Sequence, residues 1–324
     1  MFGSKAHLST PRTMGIACAL SATLLGLLYL HAAGAPTTHL LVNALSLVMG
    51  LALFAVIRRS AHGSRAAGGV VLALGVMLLA TAIFGVSVEG ASRWVRVGGV
   101  SLQISLIVLP GMLVLFARSG GILATTGIAL AALGLGLQPD RAMAGIMAAA
   151  LAVLALYRQE RQVVLALTVA GVSFAVTLLR PDSLPAVPYV DQILYTSFEV
   201  HPLAGIAVLG GALLLIVPAL AGFWRDPTNM AAHAVFGVTW LGMVVAAALG
   251  NYHTPVVGYG GSAILGYALS LSFMPIKARS TATTKARSED PARTETPGSA
   301  DLRVRGTPTT FYAAPLPVGS LTVR

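Results

Sequence analysis

The chain has 324 residues, of which 10% are charged and 56% are hydrophobic, and its mean hydropathy is +0.81. A soluble globular protein carries about 25% charged residues, so this composition excludes an ordinary soluble enzyme and a disordered chain, and it indicates a polytopic membrane protein. The single cysteine, Cys18, lies in an apolar run, which excludes a disulfide framework and a thiol-rich metal site.

Ten apolar stretches approach the length of about 20 residues that a membrane-spanning helix needs. They cover residues 14–33, 38–57, 67–87, 102–117, 120–137, 142–157, 162–179, 203–223, 230–250 and 256–276. The first stretch ends in a sequence similar to a signal-peptide cleavage site, but nine more stretches follow, so we interpret it as a retained anchor. The pattern predicts an all-α, polytopic integral membrane protein with about ten transmembrane helices.

Residues 1–276 are therefore predicted to form one transmembrane domain, and residues 277–324 differ in kind. This last segment contains eight Lys or Arg, four Asp or Glu and many Ser, Thr and Pro, without apolar periodicity. Such a composition predicts a disordered cytoplasmic tail. A solvated tail without its own function and a binding segment around Phe311 and Tyr312 are both compatible with it.

The positions of the charges predict the orientation of the chain in the membrane. If both termini are cytoplasmic, nine cations lie at the cytoplasmic ends and four in the outer loops, as the positive-inside rule favours. The nine are Lys5, Arg12, Arg58, Arg59, Arg65, Arg118, Arg158, Arg161 and Arg225. The four are Arg93, Arg96, Arg141 and Arg180. The net charge of +10 then reports topology, so we expect the lipid bilayer and no nucleic acid as a partner.

Polar residues concentrate in the outer segments, and the first two of these each have a structural and a functional interpretation. Residues 89–103 contain an Arg-Trp pair among glycines. Trp94 is typical of a membrane-interface anchor, and the arginines either snorkel or bind phosphate. Residues 137–141 contain a proline turn in which Asp140 caps the next helix or, with Gln138, lines a polar cavity.

Two further outer segments carry chemistry-bearing residues. Residues 180–202 contain three acids and a histidine, and a carboxylate near a helix end can serve as a general base. The spacing does not fit a metal site, and an ordinary proline-stiffened loop is the structural alternative. Residues 251–263 place consecutive glycines beside Tyr259 and Ser262, which indicates either an irregular helix start that lines a cavity or a seam of small residues.

These segments, in this order, resemble motifs of the SEDS family (shape, elongation, division and sporulation), of the FtsW/RodA type. Residues 90–103 (GASRWVRVGGVSLQ) resemble the family's stretch around an Arg-Trp pair. Residues 137–140 (LQPD) resemble its LQPD turn, and residues 257–263 (VGYGGSA) resemble its SYGGSS signature at the final span. The resemblance covers about residues 14–276.

The resemblance implies a peptidoglycan glycosyltransferase that acts in cell division or shape control. Such an enzyme polymerises a polyprenol-pyrophosphate-linked disaccharide precursor at the outer face of the bacterial cytoplasmic membrane, usually beside a single-span penicillin-binding protein. We expect no cofactor and no metal. In a matching site Arg93 and Arg96 hold the pyrophosphate and Trp94 fixes the depth at the interface. The remaining implied substrate-binding residues are Gln103, Gln138, Asp140, Tyr259 and Ser262.

The chain departs from the family pattern at two places. After Gln103 the family has Pro-Ser-Glu and then a lysine, and residues 104–109 contain neither the glutamate nor the lysine. Counting back from the eighth span puts Ser197 at the family's essential aspartate, and a serine hydroxyl cannot act as a base unaided. Asp191 and Glu199 are therefore the candidate catalytic substitutes.

Three functions remain open from the sequence. The first is a SEDS-like protein in cell-wall synthesis, either an active glycosyltransferase or a non-catalytic relative that binds precursor or partner proteins. The second is a lipid-precursor flippase or transporter, although a coupled transporter needs ionisable residues in mid-membrane and almost every charge here lies at a predicted helix end. The third is a membrane scaffold unrelated to the wall.

Overall fold

A computed structural model describes residues 10–58, 64–180 and 184–276, and the predicted tail at 277–324 lies outside the described residues. The described chain forms twelve helices and one small sheet. The helices are α1 (Pro11–Ala32), α2 (Thr37–Ile57), α3 (Ser64–Phe84), α4 (Ile104–Ser119), α5 (Ile122–Leu137), α6 (Arg141–Tyr157), α7 (Arg161–Leu178), α8 (Ile193–Val200), α9 (Pro202–Leu214), α10 (Val217–Arg225), α11 (Met230–Leu249) and α12 (Gly261–Phe273).

Helices occupy all ten predicted stretches, which confirms the all-α, polytopic membrane class. In the described ranges, six helical segments are long and apolar enough to cross a membrane, and the four shorter apolar helices α4, α5, α6 and α12 fill the other stretches. The eighth stretch is divided into α9 and α10. Pro218 has no N–H and its ring clashes with the carbonyl four residues earlier, so α9 ends at Leu214 and a new helix begins at Val217.

The predicted loop after α3 is a three-stranded antiparallel sheet, which the sequence analysis missed. Its strands, in the order β1-β2-β3, are β1 (Val86–Val88), β2 (Ala91–Val97) and β3 (Val100–Gln103). Gly98 and Gly99 form the two-residue turn between β2 and β3, and both have positive φ (56° and 85°), as a primed hairpin turn requires. We call this end of the bundle the sheet end.

Helix α12 lies at the centre of the bundle, and nearly all of its residues are buried. Its aromatic side chain Tyr267 packs edge-to-face on Trp240 of α11, with ring centroids 4.8 Å apart. The Tyr267 hydroxyl donates to the carbonyl of Leu215 at 3.2 Å, and Trp240 Nε1 donates to Ser270 Oγ at 3.2 Å. Tyr267 thereby satisfies a backbone carbonyl that the break between α9 and α10 leaves free.

Arginines hold the end of α12 that lies opposite the sheet end. Arg12 of α1 donates through Nε (2.7 Å) and Nη2 to the carbonyl of Met274, and Arg118 of α4 donates to the carbonyl of Phe273 at 2.7 Å. The last carbonyls of a helix have no partner within the helix and carry partial negative charge. Two guanidinium groups therefore anchor the end of the central helix to α1 and α4.

Glycines allow α3 and α5 to approach closely. A Cβ atom added to Gly75 would collide with the carbonyl of Gly127, and one added to Gly127 would collide with the carbonyl of Val71. Because backbone is the obstacle on both sides, no side-chain rotation can relieve the clash. Small residues at a helix interface have this role in membranes, where the gain comes from close packing.

We expect Gly75→Ala to destabilise the bundle by about 1–3 kcal/mol, the usual cost of overpacking. Gly69→Ala is the matched control in the same helix, because nothing lies within 4 Å of its added Cβ. Removing a glycine from a helix interior gains about 0.5–1 kcal/mol, so the control should be neutral or slightly stabilised. Thermal unfolding of the two purified variants in detergent checks this, and equal melting temperatures would contradict the close approach.

Candidate functional site

A cavity of about 470 Å³ lies at the sheet end. Its walls come from the sheet, the start of α6, the segment 184–191 and the segment 251–262. Eight residues that the sequence analysis singled out meet there: Arg93, Trp94, Arg96, Gln103, Asp140, Asp191, Tyr259 and Ser262. Segments far apart in the chain therefore form one polar wall in a largely apolar protein.

Asp140 is the most buried acid of the cavity wall, with 1% of its surface exposed. Its Oδ1 accepts from the backbone N–H of Met143 (3.3 Å), which is the predicted helix cap of α6. Its Oδ2 accepts from Ser105 Oγ (2.9 Å) and Gln103 Nε2 (3.2 Å). The two predicted roles of Asp140 thus coincide, because the capping carboxylate also lines the cavity.

Gln103 connects this carboxylate to the central helix. Its backbone N–H donates to Ser262 Oγ at 3.0 Å, while its side-chain amide reaches Ser105 and Asp140. Strand β3, the start of α4, the start of α6 and the start of α12 are therefore joined through one set of hydrogen bonds.

Arg93 is 4% exposed, and its guanidinium binds the turn between α5 and α6. Nε donates to the carbonyl of Gln138 (3.4 Å), and Nη2 donates to the carbonyl of Pro139. Arg96, three residues further along β2, is exposed and also lines the cavity. Strand alternation puts these two side chains on opposite faces, and Arg93 is the one that binds the protein backbone.

The segment 250–260 precedes α12 without helical structure, which agrees with the predicted irregular helix start. Asn43 of α2 clamps it: Nδ2 donates to the carbonyl of Gly258 (2.8 Å) and Oδ1 accepts from the N–H of Gly260 (3.0 Å). Tyr259 stacks on His39 with ring centroids 3.7 Å apart and an interplanar angle of 11°. These contacts hold the Gly-rich motif against α2.

Asp191 and His253 face each other where the segment 184–192 meets the segment 250–260. The two residues form an antiparallel bridge, and both line the cavity. Burial raises the pKa of Asp191, although its hydrogen bond from the N–H of Val187 (2.9 Å) opposes the shift. Burial lowers the pKa of His253 to about 4, so its imidazole is neutral at pH 7.

Three predicted site residues lie outside the wall of this cavity. Gln138 is fully buried and donates to the carbonyl of Leu78 at 2.9 Å. Ser197, on α8, is fully buried, and its Oγ has no partner among the described residues. Glu199 lines a separate cavity of about 470 Å³, beside Tyr29 and Thr196. Asp191 lines both cavities and is the candidate acid that the structure brings to the other motifs.

The structure adds Asn43, Ser105 and His253 to the site. A lone asparagine in an apolar span was the available signal for Asn43, because an unpaired amide is costly there. Ser105 and His253 gave no signal in the sequence, since their partners lie on other helices and loops. In the described ranges, no group of three His, Cys, Asp or Glu side chains is placed to hold a metal ion.

An apolar groove of about 960 Å³ lies beside the cavity, between α6, α7 and α11. The groove and the cavity share Ile146, Leu184, Ala246 and Tyr252 in their linings. Arg141 also lines the groove, donates to the carbonyl of Arg180 at 2.9 Å, and keeps a buried Nε without a partner among the described residues. The cavity that carries most of the charged side chains therefore adjoins a groove lined mainly by apolar side chains.

Arg93→Met is expected to destabilise the protein by about 1–3 kcal/mol, because two buried carbonyls lose a charged donor. Arg96→Met is the matched control on the same strand, and its exposed side chain should leave the melting temperature within about 0.5 kcal/mol of the wild type. Thermal unfolding in detergent measures both. A stable Arg93→Met variant would show that the guanidinium is not needed to hold the turn.

We expect His253 to lower the free energy of unfolding as the pH falls from 7 to 5. As the pH falls below 6.5, the ordinary pKa of histidine, the unfolded chain takes up a proton, whereas the folded chain does so only near pH 4. The loss is about 2 kcal/mol at pH 5, from about 1.4 kcal/mol per pKa unit. His253→Gln removes this contribution, so the variant should lose less stability than the wild type between pH 7 and pH 5. An equal loss of unfolding free energy in the two proteins between pH 7 and pH 5 would contradict this prediction.

Known proteins resemble the chain in fold more than in sequence. No protein-family model and no curated protein sequence match it. Among solved structures, the rod shape determining protein RodA of Thermus thermophilus matches with a TM-score of 0.56 and 20% sequence identity, over 80% of this chain and 93% of that chain. A mutant of the same RodA matches with a TM-score of 0.56, 19% identity and coverage of 80% and 94%. The chain is therefore a polytopic membrane protein with the fold of RodA, as the SEDS resemblance implied.

Proposed function

We propose that the protein is a divergent SEDS-type protein of the bacterial cytoplasmic membrane that handles a polyprenol-pyrophosphate-linked disaccharide in peptidoglycan synthesis. One observation carries the proposal. The three motifs that resemble the family meet around a single polar cavity in a bundle with the RodA fold. A chance resemblance of short motifs gives no reason for them to converge.

In this proposal the sheet end faces outward and both termini are cytoplasmic. The opposite end carries most of the cations of the described residues, as the positive-inside rule favours for the cytoplasmic side. They are Arg12, Arg58, Arg65, Arg118, Arg158, Arg161 and Arg225. The cavity then opens where a lipid-linked precursor presents its sugar.

The cavity and the groove suit the two parts of such a precursor. The leaving group of glycosyl transfer is a pyrophosphate, and cations near it stabilise the charge that develops. Arg96 is exposed at the cavity and can reach a phosphate, whereas Arg93 binds the turn between α5 and α6. The polyprenyl chain lies in the apolar groove between α6, α7 and α11. Trp94 lines the cavity beside these arginines.

Among the candidate acids, the structure supports Asp191 over Glu199 as the base. Asp191 shares the cavity with Arg96, Asp140 and Tyr259, whereas Glu199 lines the other cavity. Its raised pKa moves a carboxylate towards the basicity that proton abstraction needs. Ser197 stays outside the wall of this cavity.

The test is polymerisation of labelled lipid-linked precursor by the purified full chain, alone and with a cognate single-span penicillin-binding protein. We expect polymer, and we expect Asp191→Ala to reduce its rate by about 10²–10⁴-fold, the usual contribution of a general base. Glu199→Ala and Ser197→Ala should reduce it far less. An undiminished rate in Asp191→Ala would remove Asp191 as the base.

Absence of polymer under both conditions would contradict the catalytic proposal and favour a non-catalytic relative that binds precursor or partners. Movement of the precursor across liposome membranes without polymer would favour a flippase. Crosslinked partners that belong only to processes outside wall synthesis would favour a scaffold. The melting temperature of each variant, measured beside its activity, separates lost chemistry from lost folding.

A further inference from the structure

The segments 184–192 and 250–260 are fastened together along one wall of the cavity. The N–H of Thr254 donates to the carbonyl of Val190 (3.0 Å), and the N–H of Tyr259 donates to the carbonyl of Tyr189 (2.6 Å). Asp191 and His253 form the antiparallel bridge next to the first of these bonds. Directly opposed residues of an antiparallel pair place their side chains on one face, with Cβ atoms about 4.5–5.5 Å apart.

His253 carries a nitrogen that the described residues leave without a partner. Its Nε2 is buried and makes no hydrogen bond within the described part of the chain. The imidazole packs against Gly260, and a Cβ atom added there would collide with the ring. An unpaired buried polar group costs about 1–3 kcal/mol, so an imidazole seated this closely beside a cavity has the chemistry to bind a hydroxyl group.

Burial shifts the pKa values of the two residues in opposite directions. Burial raises the pKa of Asp191 and lowers that of His253 to about 4, so the His253 imidazole is neutral at pH 7. The other titratable side chains of the cavity wall are Glu89, Arg93, Arg96, Asp140, Tyr252 and Tyr259.

We propose that Asp191 and His253 form an acid–base pair that binds the acceptor sugar hydroxyl and removes its proton. This inference rests on the proposed function of the same cavity. It adds His253 to Asp191 as a second catalytic group. A second group is useful because Ser197, at the position expected for the family's aspartate, cannot act as a base.

The step balances as a displacement. The O–H bond of the acceptor breaks, and its proton passes to the Asp191–His253 pair. The oxygen uses its electron pair to form the new glycosidic bond to the anomeric carbon of the donor. The bond from that carbon to the pyrophosphate oxygen breaks, and its electrons leave with the polyprenyl pyrophosphate. The proton on the pair then passes to solvent.

The first experiment measures turnover of labelled precursor by the full chain and its variants between pH 6 and pH 9. We expect His253→Gln to lower kcat by about 10²-fold or more, with a melting temperature at pH 7 close to that of the wild type. Its remaining rate should rise about tenfold per pH unit, because hydroxide then takes the proton. His31→Gln, an exposed histidine at the same end, is the matched control and should turn over like the wild type.

The double variant Asp191→Asn/His253→Gln tests whether the residues act as one unit. Members of one catalytic unit are strongly non-additive, so the double variant should be little slower than the slower single variant. Additive losses, or a lowered kcat without the altered pH profile, would overturn the acid–base pair.

The second experiment measures binding of the same labelled precursor to the protein in nanodiscs, without turnover. His253→Gln should weaken binding by several-fold, and His31→Gln should not change it. If the wild type binds precursor but makes no polymer, the proposed glycosyltransferase function fails, while weakened binding by His253→Gln still supports the hydroxyl site. Unchanged binding in His253→Gln overturns that site whether or not polymer forms.

Discussion

The hydrogen bonds of the segment 250–260 are the constraint on which the cavity depends. Backbone that leaves helical structure at the edge of a bilayer has unpaired N–H and C=O groups, and each costs several kcal/mol unless protein satisfies it. The side-chain amide of Asn43 pairs with two of these groups, and the carbonyls of Tyr189 and Val190 accept from two more. The segment therefore keeps a fixed, non-helical conformation, and its side chains can line the cavity.

Because this protein has few charged residues, the same side chains join the helices and line the cavity. The acid that caps α6, Asp140, is also the acceptor that joins β3 and the start of α4. Gln103 extends the same connection to the start of α12 through Ser262. A change that reshapes the bundle at this end must therefore change the cavity as well, and the converse also holds.

Hydropathy predicted the ten spanning stretches because burial in lipid imposes length and apolarity directly on the sequence. The same scan could not find the sheet, since β2 is short and its pattern of Arg93, Trp94 and Arg96 also suits an interfacial loop. The Gly98-Gly99 turn between β-branched residues was the overlooked signal. The break before Pro218 could have been predicted from the sequence, because a proline in a helix interior removes a hydrogen bond and clashes with the preceding turn.

The sequence motifs predict which residues belong to the site, but they do not predict which of those residues lie close together. Eight residues chosen from the sequence converge, but the sequence does not distinguish Asp191 from Glu199 as the acid, and only the fold shows that Asp191 lines the cavity with the other motifs. His253 escaped notice because its importance comes from a bridge to a residue 62 positions earlier in the chain. A contact of that kind has no local pattern to reveal it.

The arginines at the other end of α12 fix the position of the central helix. Arg12 and Arg118 grip the carbonyls of Met274 and Phe273, which are almost the last described residues of the chain. Moving α12 away from α1 or α4 at this end would therefore leave a helix-terminal carbonyl without its charged donor. The start of the same helix is held separately, because Ser262 accepts from the backbone N–H of Gln103, so different contacts fix the two ends of α12.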